Sequence, residues 1–297
     1  MYDCFIPRRL QTDKNGYEFL AGLYPDITSQ PDKDVVIDFS VCLKIDGNLA
    51  AALGAILDKL VDDGYDVMLR APHEKRVRRI LSRNHFLRMW SIETNVEERE
   101  NFVKYRRFRS NDSSDFKRYI DEELIHKQKF PRHTELVGKN IVENIFEVYA
   151  NAIMHGSTDY VYSCGEYKES DQVLEMTIVD CGRTIPKNVN TYLAERDKQI
   201  LSSCDAIEWA FISGNTTKSQ TGGLGLALLK EFIDLNEGAI QVISGEGMIE
   251  YKEGKVEQNL LSIEFPGTIV NMKFNFKDSK RYYMVSEESG VNLDDLL

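Results

Sequence analysis

Between residues 137 and 155 the chain alternates apolar and polar positions with the period of an α-helix. Apolar side chains recur every three or four residues, which places them on one face of a helix. They are Val137, Ile141, Ile145, Val148 and Ala152. The opposite face carries Glu147, Asn151 and His155 at a spacing of four residues, with Glu143 one turn earlier. The pattern therefore predicts a helix with one buried face and one line of polar groups.

This polar line has two interpretations. An acid, an amide and an imidazole on one helix face can together handle a metal ion, a water molecule and a phosphate. The same line is as typical of a solvated stripe that lies opposite a buried one. The segment alone does not decide between the two.

A second pattern predicts a strand that ends in a carboxylate. Residues 174–179 alternate as a half-buried strand does, and Asp180, Cys181 and Gly182 follow directly. A carboxylate at a strand end can accept hydrogen bonds from a flat ring that bears an amino group. Because glycine has no side chain, Gly182 would allow such a ring to lie close to the backbone.

A third pattern predicts an anion site. Residues 216–226 are rich in glycine, threonine and serine and run into the apolar stretch 227–233, which predicts a helix. The first N–H groups of a helix have no partner within the helix, and its dipole is positive at that end. Such a loop can bind an anion, and Lys218 adds a mobile positive charge.

The N-terminal part of the chain alternates strand and helix patterns. Strands are predicted at residues 35–39 and 66–69, and helices at residues 49–60 and 74–84, with Gly64 ending the first helix. Strands and helices that alternate with short links favour a right-handed parallel unit. The sequence therefore predicts an α/β fold.

Length and composition narrow the class of protein. The 297 residues fit two domains, and 42% hydrophobic with 29% charged residues describe a soluble globular chain. No apolar run approaches the ~18 residues that span a bilayer, and no secretory signal opens the chain, so we expect no membrane association. Five scattered cysteines without a Cys-x-x-Cys pair indicate neither a zinc site nor a disulfide framework, and a reducing cytoplasm is the simplest setting.

The charge balance bears on the partners. A net charge of −11 argues against nucleic acid as a partner. Two basic runs, at residues 75–83 and 104–109, are local exceptions, and the second interleaves arginine with aromatic residues. Interleaved aromatics can stack on bases, but both runs are more typical of an element with a solvated face.

The order of these motifs resembles the GHKL superfamily of ATP-binding domains, which includes gyrase B subunits, sensor histidine kinases and bacterial anti-sigma-factor kinases. The string from Glu147 to Gly156 resembles the N-box of that family, in the form found in the anti-sigma-factor kinases. The string from Asp180 to Gly182 resembles the adenine-binding box. Residues 216–226 resemble the glycine-rich lid, and Thr268 stands where the family has a closing threonine before a late strand.

The resemblance covers roughly residues 133–277 and implies a fold and cofactors. The implied fold is an α/β sandwich in which a mixed sheet is covered by helices on one face. The implied cofactors are ATP and Mg²⁺. Glu147 would orient or deprotonate the attacking water or hydroxyl, and Asn151 would coordinate the metal. Asp180 would accept a hydrogen bond from the adenine amino group, with Gly182 and Thr268 completing the adenine contacts.

The family also implies a set of phosphate contacts. They are Lys218, Gly222, Gly223, Leu224 and Gly225, with His155 as a further candidate. His155 has the alternative of capping or packing near the helix end. The adenine box departs from the family pattern because Thr184 stands in place of its second glycine, which predicts a stiffer loop. Arg183 beside it either reaches a phosphate or faces water.

The N-terminal part resembles a STAS domain, the fold of anti-sigma-factor antagonists. We therefore expect a STAS-like domain at residues 1–90, a connector at 91–132, the GHKL domain at 133–277 and a C-terminal tail at 278–297. Antagonists of this kind often carry a phosphorylatable serine directly after a turn aspartate. Here the turn reads Ile-Asp-Gly-Asn-Leu at residues 45–49, without serine or threonine.

Three functions remain open from the sequence. The first is an ATPase or an ATP-gated switch that controls a partner protein. The second is a serine/threonine protein kinase that acts on a separate protein, and the third is a nucleotide-binding scaffold without catalysis. In each case we expect ATP or ADP as the ligand, together with a protein partner or a homo-oligomer.

Overall fold

The computed structural model describes residues 1–94, 102–127, 129–212, 214–215, 225–284 and 287. It is a mixed α/β protein built on two main sheets, with two further pairs of short strands among the described residues. Its elements fall into an N-terminal half around a small parallel sheet and a C-terminal half around a larger antiparallel sheet. Nowhere in the described residues is there a helix long and apolar enough to cross a membrane.

Three parallel strands form the small sheet. They are β1 (Tyr2–Phe5), β3 (Asp34–Asp38) and β5 (Asp66–Arg70), with β3 in the middle. The helices of this half are α1 (Lys14–Thr28), α2 (Ala50–Asp62), α3 (Lys75–Arg83) and α4 (Phe86–Met89). The short strands β2 (Arg9–Leu10) and β4 (Lys44–Ile45) pair with each other. The strands and helices predicted in this half, and the parallel pairing, are confirmed.

Helix α2 lies between the two sheets. Every residue from Ala50 to Leu57 is buried, so the helix has no solvated face along these two turns. Its small residues permit this close packing, and a Cβ at Gly54 would lie only 2.1 Å from the Tyr105 hydroxyl on the larger sheet. The sequence of α2 thus lets a helix fit between two layers.

The larger sheet has five strands. They are β6 (Phe102–Arg109), β8 (Tyr160–Lys168), β9 (Val173–Asp180), β10 (Ala239–Lys252) and β11 (Lys255–Asn275), in the order β10-β11-β9-β8-β6. All four neighbouring pairs are antiparallel, so the prediction of a mixed sheet is wrong. Short reversals join two of these pairs, β8 with β9 and β10 with β11. The turn between β10 and β11 has two residues, Glu253 and Gly254, with φ of 52° and 70°, a conformation that suits tight hairpins.

The helices of the C-terminal half lie in the connections from β6 to β8 and from β9 to β10. They are α5 (Ser113–Ile120), which continues as a π-helical turn (Asp121–Ile125), α6 (Glu135–Gly156), α7 (Ile185–Ala194), α8 (Ser203–Phe211) and α9 (Gly225–Leu235). Two short strands, β7 (Arg132–His133) and β12 (Arg281–Tyr282), pair in parallel and bring residues from the predicted C-terminal tail against the start of α6.

Residues 91–132, for which the sequence predicts a connector, contribute to the larger sheet. Strand β6 lies in this stretch and pairs with β8 as the edge of the sheet. Helix α5 packs its Phe116 and Tyr119 into the same core as Tyr149 of α6. The aromatic and arginine residues at 104–109 therefore form a strand with buried and solvated positions.

Helices cover both faces of the larger sheet, whereas the resemblance implied one covered face. Residues Met176 and Ile178 of β9 pack into the core that contains α6, and Val179 packs into the core of the N-terminal half. Seven of the eight positions of β9 are buried. The prediction of a half-buried strand is therefore wrong, because α1 and α2 occupy the face that would otherwise meet solvent.

The polar residues buried between the two halves satisfy one another. The Asn48 amide donates to Thr177 Oγ1 at 3.0 Å and to Asn271 Oδ1 at 3.1 Å. The Lys168 ammonium lies between Asp46 at 2.9 Å and Glu175 at 2.6 Å. The turn at residues 46–48 is thus held against the larger sheet and buried there.

Candidate functional site

A cavity opens where the C-terminal end of α6 meets the ends of β9 and β11. The centre of a water molecule can move within a cavity volume of about 110 Å³. Five residues that the sequence singles out lie in its wall, and the structure brings them together from three separate elements. They are Glu147, Asn151, His155, Asp180 and Thr268.

Helix α6 delivers the first three of these residues. The Thr134 hydroxyl accepts the Val137 N–H at 3.3 Å and starts the helix, and Ser157 ends it with φ of 52°. The five apolar positions predicted to face the core are all buried, which confirms the orientation of the helix. Glu143 does not extend the polar line into the cavity, since it forms an ion pair with Lys117 at 2.6 Å.

The end of β9 is fixed to the end of α6 through backbone contacts. The Arg183 N–H donates to the Gly156 carbonyl at 2.6 Å. A Cβ at Gly182 would lie 2.2 Å from that carbonyl oxygen, and a Cβ at Gly156 would lie 3.0 Å from Asp180 Oδ1. Glycine is therefore required at position 182 because two backbone segments approach each other there.

The environment of Asp180 alters its acidity. Its side chain is 5% exposed, and the Gly182 N–H donates to Oδ1 at 2.9 Å. Burial disfavours the charged carboxylate and raises the pKa of Asp180 to about 7, although the Gly182 hydrogen bond acts in the opposite direction. Near neutral pH this carboxyl group is therefore present in both protonation states.

Thr268 lies directly across the ladder from Asp180. The two residues are paired between β11 and β9, and a Cβ at the preceding Gly267 would lie 2.0 Å from the Asp180 carbonyl oxygen. The Thr268 hydroxyl lies 2.9 Å from the Ser244 hydroxyl on β10. Ser244 in turn accepts the Ile185 N–H at 2.8 Å, so it connects the cavity wall to the start of α7.

Thr184, which replaces the second glycine of the family's adenine box, has a structural role. It precedes α7, and its hydroxyl accepts the Lys187 N–H at 3.4 Å as the N-cap. Thr184 is buried, so the loop after β9 is anchored at both ends. The neighbouring Arg183 lines the cavity and also donates to the Thr191 hydroxyl.

Several wall residues are not apparent from sequence motifs. Asn188 of α7 donates to the His155 carbonyl at 2.9 Å, and Trp209 and Asn215 close another side of the cavity. Helix α8, which carries Trp209, has a start signal in the sequence: the Ser202 hydroxyl accepts the Asp205 N–H at 3.1 Å. That signal would have located the helix, although not its position beside the cavity.

The predicted lid falls mainly outside the described residues. Lys218, Gly222, Gly223 and Leu224 lie there, so the anion site stays a prediction. Gly225 is the first residue of α9, and the helix predicted at 227–233 is confirmed within it. Leu226 of α9 lines the cavity, which places the end of the predicted lid beside the site.

The metal prediction depends on Asn151. Among the described residues no group of three or more His, Cys, Asp or Glu side chains is arranged to hold a metal ion. A single side-chain oxygen suits Mg²⁺ when phosphate and water oxygens supply the other ligands.

Comparison of the chain with protein-family models, with curated proteins and with solved structures finds no match.

Proposed function

We propose that this chain binds an adenine nucleotide with Mg²⁺ in the cavity between α6, β9 and β11. One observation carries the proposal. A buried carboxylate at a strand end and a polar line of glutamate, asparagine and histidine converge on a single cavity from distant parts of the chain. A solvated stripe on α6 would not face such a cavity.

The cavity wall suits a flat ring. Apolar side chains line it beside Asp180, among them Ile178, Val270 and Ala152. Apolar walls with a few directed polar groups are typical of small-molecule sites. In its charged form the carboxylate accepts a hydrogen bond from an exocyclic amino group, and the Thr268 hydroxyl opposite offers a second polar contact.

The residues along α6 suit the phosphate end of a nucleotide. Asn151 would bind Mg²⁺ through its side-chain oxygen, and the metal would neutralise phosphate charge there. Glu147, one helical turn away, would orient or deprotonate a water or hydroxyl. His155, a further turn along, directly precedes Gly156, where a Cβ would lie 3.0 Å from Asp180 Oδ1, so it lies near the Asp180 end of the cavity wall.

The class of activity that we favour is an ATPase or an ATP-gated regulatory switch. The alternative is phosphotransfer to a serine or threonine of a separate protein. Transfer to the N-terminal half of the same chain is disfavoured, because the turn at residues 46–48 is buried against the sheet and contains no hydroxyl side chain.

Two measurements test the proposal. Titration calorimetry with ATP and ADP, with and without Mg²⁺, should show saturable binding that is stronger with the metal. GTP provides a matched control, because its ring presents a carbonyl where adenine presents an amino group. The absence of heat with ATP up to millimolar concentrations would refute the proposal.

Incubation with ATP that carries a labelled terminal phosphate separates the activities. Free labelled phosphate would indicate hydrolysis. Label on an added protein would indicate phosphotransfer, and binding without either product would leave a nucleotide-gated scaffold. The Glu147→Ala variant should lower whichever product appears about 10²- to 10⁴-fold, which guards against a contaminating enzyme.

A further inference from the structure

Three polar side chains lie in a row across the larger sheet where it meets the cavity. Ser244 of β10 pairs directly with Thr268 of β11, and Thr268 pairs directly with Asp180 of β9. Directly opposed residues of a sheet place their side chains on the same face. Thr268 and Asp180 line the cavity, whereas Ser244 is fully buried and does not line it. A ligand in the cavity therefore meets Ser244 only through Thr268.

The contacts of the Ser244 hydroxyl determine the direction of its hydrogen bond with Thr268. A serine hydroxyl has one proton to donate and two lone pairs that accept. The Ile185 N–H at 2.8 Å can only donate, so it occupies one lone pair. The Gly267 carbonyl at 3.2 Å can only accept, so it takes the Ser244 proton. The second lone pair of Ser244 is left for the Thr268 hydroxyl at 2.9 Å, which must therefore donate to it.

This direction leaves Thr268 able only to accept a hydrogen bond from a ligand. Its single proton is committed to Ser244, and no other described residue bonds to its hydroxyl. Asp180 in its charged form is equally limited, since Oδ1 accepts the Gly182 N–H and no described residue donates to Oδ2. Two acceptors therefore lie side by side in the cavity wall.

The spacing of the two acceptors suits an exocyclic amino group. Side chains directly opposite each other in an antiparallel sheet are about 4.5–5.5 Å apart at their Cβ atoms. A planar amino group directs its two N–H bonds about 120° apart, and at hydrogen-bond lengths of about 2.9 Å it holds two acceptors about 5 Å apart. One N–H can thus bind Asp180 while the other binds Thr268. A ring carbonyl in the same place would meet two acceptors and no donor.

We propose that Ser244 determines the base specificity of the site, because it holds the Thr268 proton away from the cavity and so makes the site bind both hydrogens of an amino group. Ser244 acts only through Thr268 and is a positioning residue. This role rests on the proposed adenine-nucleotide site. It adds that two acceptors select the base, whereas Asp180 alone would bind only one of the two hydrogens.

Inosine triphosphate, which has a ring carbonyl where ATP has the amino group, tests this role against ATP. Calorimetry with Mg²⁺ at about pH 8.5, above the Asp180 pKa of about 7, keeps that carboxyl group charged. Ser244→Ala frees the Thr268 proton to donate into the cavity. The ratio of the ATP affinity to the inosine triphosphate affinity should therefore fall at least about tenfold. Ser244→Thr keeps a hydroxyl group and should restore the wild-type ratio.

A purely structural role of Ser244 would give a different result. Loss of its contacts to Ile185 and Gly267 would lower the affinity for both nucleotides equally and leave their ratio unchanged. The matched control is Ser163→Ala, which removes an equally buried hydroxyl of the same sheet away from the cavity and should not alter the ratio. If the wild type binds ATP and Ser244→Ala has an unaltered ratio, the role of Ser244 is overturned but the nucleotide site stands. Wild type that does not bind ATP would overturn both.

The 6-methylamino analogue of ATP, in which a methyl group replaces one amino hydrogen, gives a second test. Wild type should bind it at least about tenfold more weakly than ATP, because one acceptor loses its donor. Thr268→Val keeps the shape of the side chain and the Ser244 bonds to Ile185 and Gly267. In this variant ATP has already lost the second contact, so the penalty for the methyl group should shrink by about the same factor. An equal penalty in wild type and Thr268→Val would come from crowding of the methyl group and would overturn the pair of acceptors, even if Ser244→Ala does not fold.

Discussion

Replacing Asp180 with Asn tests two properties of this carboxyl group: the energetic cost of burying its charged form and its proposed hydrogen bond to adenine. The asparagine side chain has the same shape and keeps an oxygen that can accept the Gly182 N–H. It does not titrate. Any pH-dependent difference between the two proteins therefore reports the ionisation of Asp180, while groups that titrate in both proteins cancel.

The expected magnitude follows from the pKa. Burial raises the pKa of Asp180 from 3.8 to about 7, so the folded protein holds this proton more tightly than the unfolded chain. The tighter binding of this proton contributes to the free energy of unfolding. That contribution is complete below about pH 4 and is lost as the pH rises through about 7. The shift of about three units corresponds to ~4 kcal/mol at high pH. Between pH 5 and pH 8, the free energy of unfolding of Asp180→Asn should gain about 2–3 kcal/mol relative to the wild type.

Nucleotide binding should change in the opposite direction. An amide that presents N–H groups to the adenine amino group leaves a mismatched buried pair, which costs about 1–3 kcal/mol. The affinity for ATP should therefore fall about 5- to 150-fold while the protein becomes more stable at pH 8.

Urea unfolding at pH 5 and pH 8 checks the stability of both proteins, and calorimetry checks their affinity for ATP. The exposed Asp159→Asn provides a matched control that should alter neither quantity. A stability difference that is the same at both pH values would show that the carboxyl group does not have a raised pKa. An unchanged ATP affinity would remove Asp180 from the proposed adenine site.

Three further substitutions test the site and its support. Glu147→Ala should retain ATP binding in calorimetry but lower turnover about 10²- to 10⁴-fold, since a positioned base contributes that much. Asn151→Ala should instead weaken the Mg²⁺-dependent part of ATP binding. Equal activity of Glu147→Ala and wild type would favour a nucleotide-binding scaffold without catalysis. Gly182→Ala forces a Cβ to within 2.2 Å of the Gly156 carbonyl oxygen. We therefore expect a lower thermal midpoint and weaker ATP binding. A thermal midpoint and an ATP affinity equal to those of the wild type would contradict the close backbone approach. Asn48→Leu removes the hydrogen-bond partner of the buried Thr177 and Asn271 side chains. It should reduce the free energy of unfolding, measured in urea, by about 2–4 kcal/mol. A loss below about 0.5 kcal/mol would show that the contact between the halves does not depend on this amide.

The contribution of the sequence is clearest in α6. Its apolar period fixed both the helix and the face that carries Glu147, Asn151 and His155, because a helical period is a local property of the chain. The strand before Asp180 was also apparent, since strand ends leave local signals. The close approach of the Gly182 and Gly156 backbones was not apparent, because the sequence predicted only that a ring could lie close to Gly182. The resemblance to GHKL domains, and with it ATP and Mg²⁺, stays a prediction that experiment must test.

The tertiary structure decided what these elements contact. Thr177 and Glu175 are polar, so the sequence of β9 predicts a solvated face, yet both are buried. Asn48, from a distant part of the chain, donates to Thr177, and Lys168 of the neighbouring strand β8 forms an ion pair with Glu175. Strand β6 joins the sheet through pairing with β8, which no local pattern encodes.

At the cavity, Ser244 is an example of a residue whose contacts only the tertiary structure decides. Its hydroxyl reaches Thr268 and the start of α7 only because β10, β11 and the loop after β9 converge there. The sequence by itself determined the elements and the chemistry that they carry, since period, caps and glycines act over a few residues. Only the tertiary structure decided which faces are covered, which strands pair and which side chains share one cavity, because these depend on contacts between residues far apart in the chain.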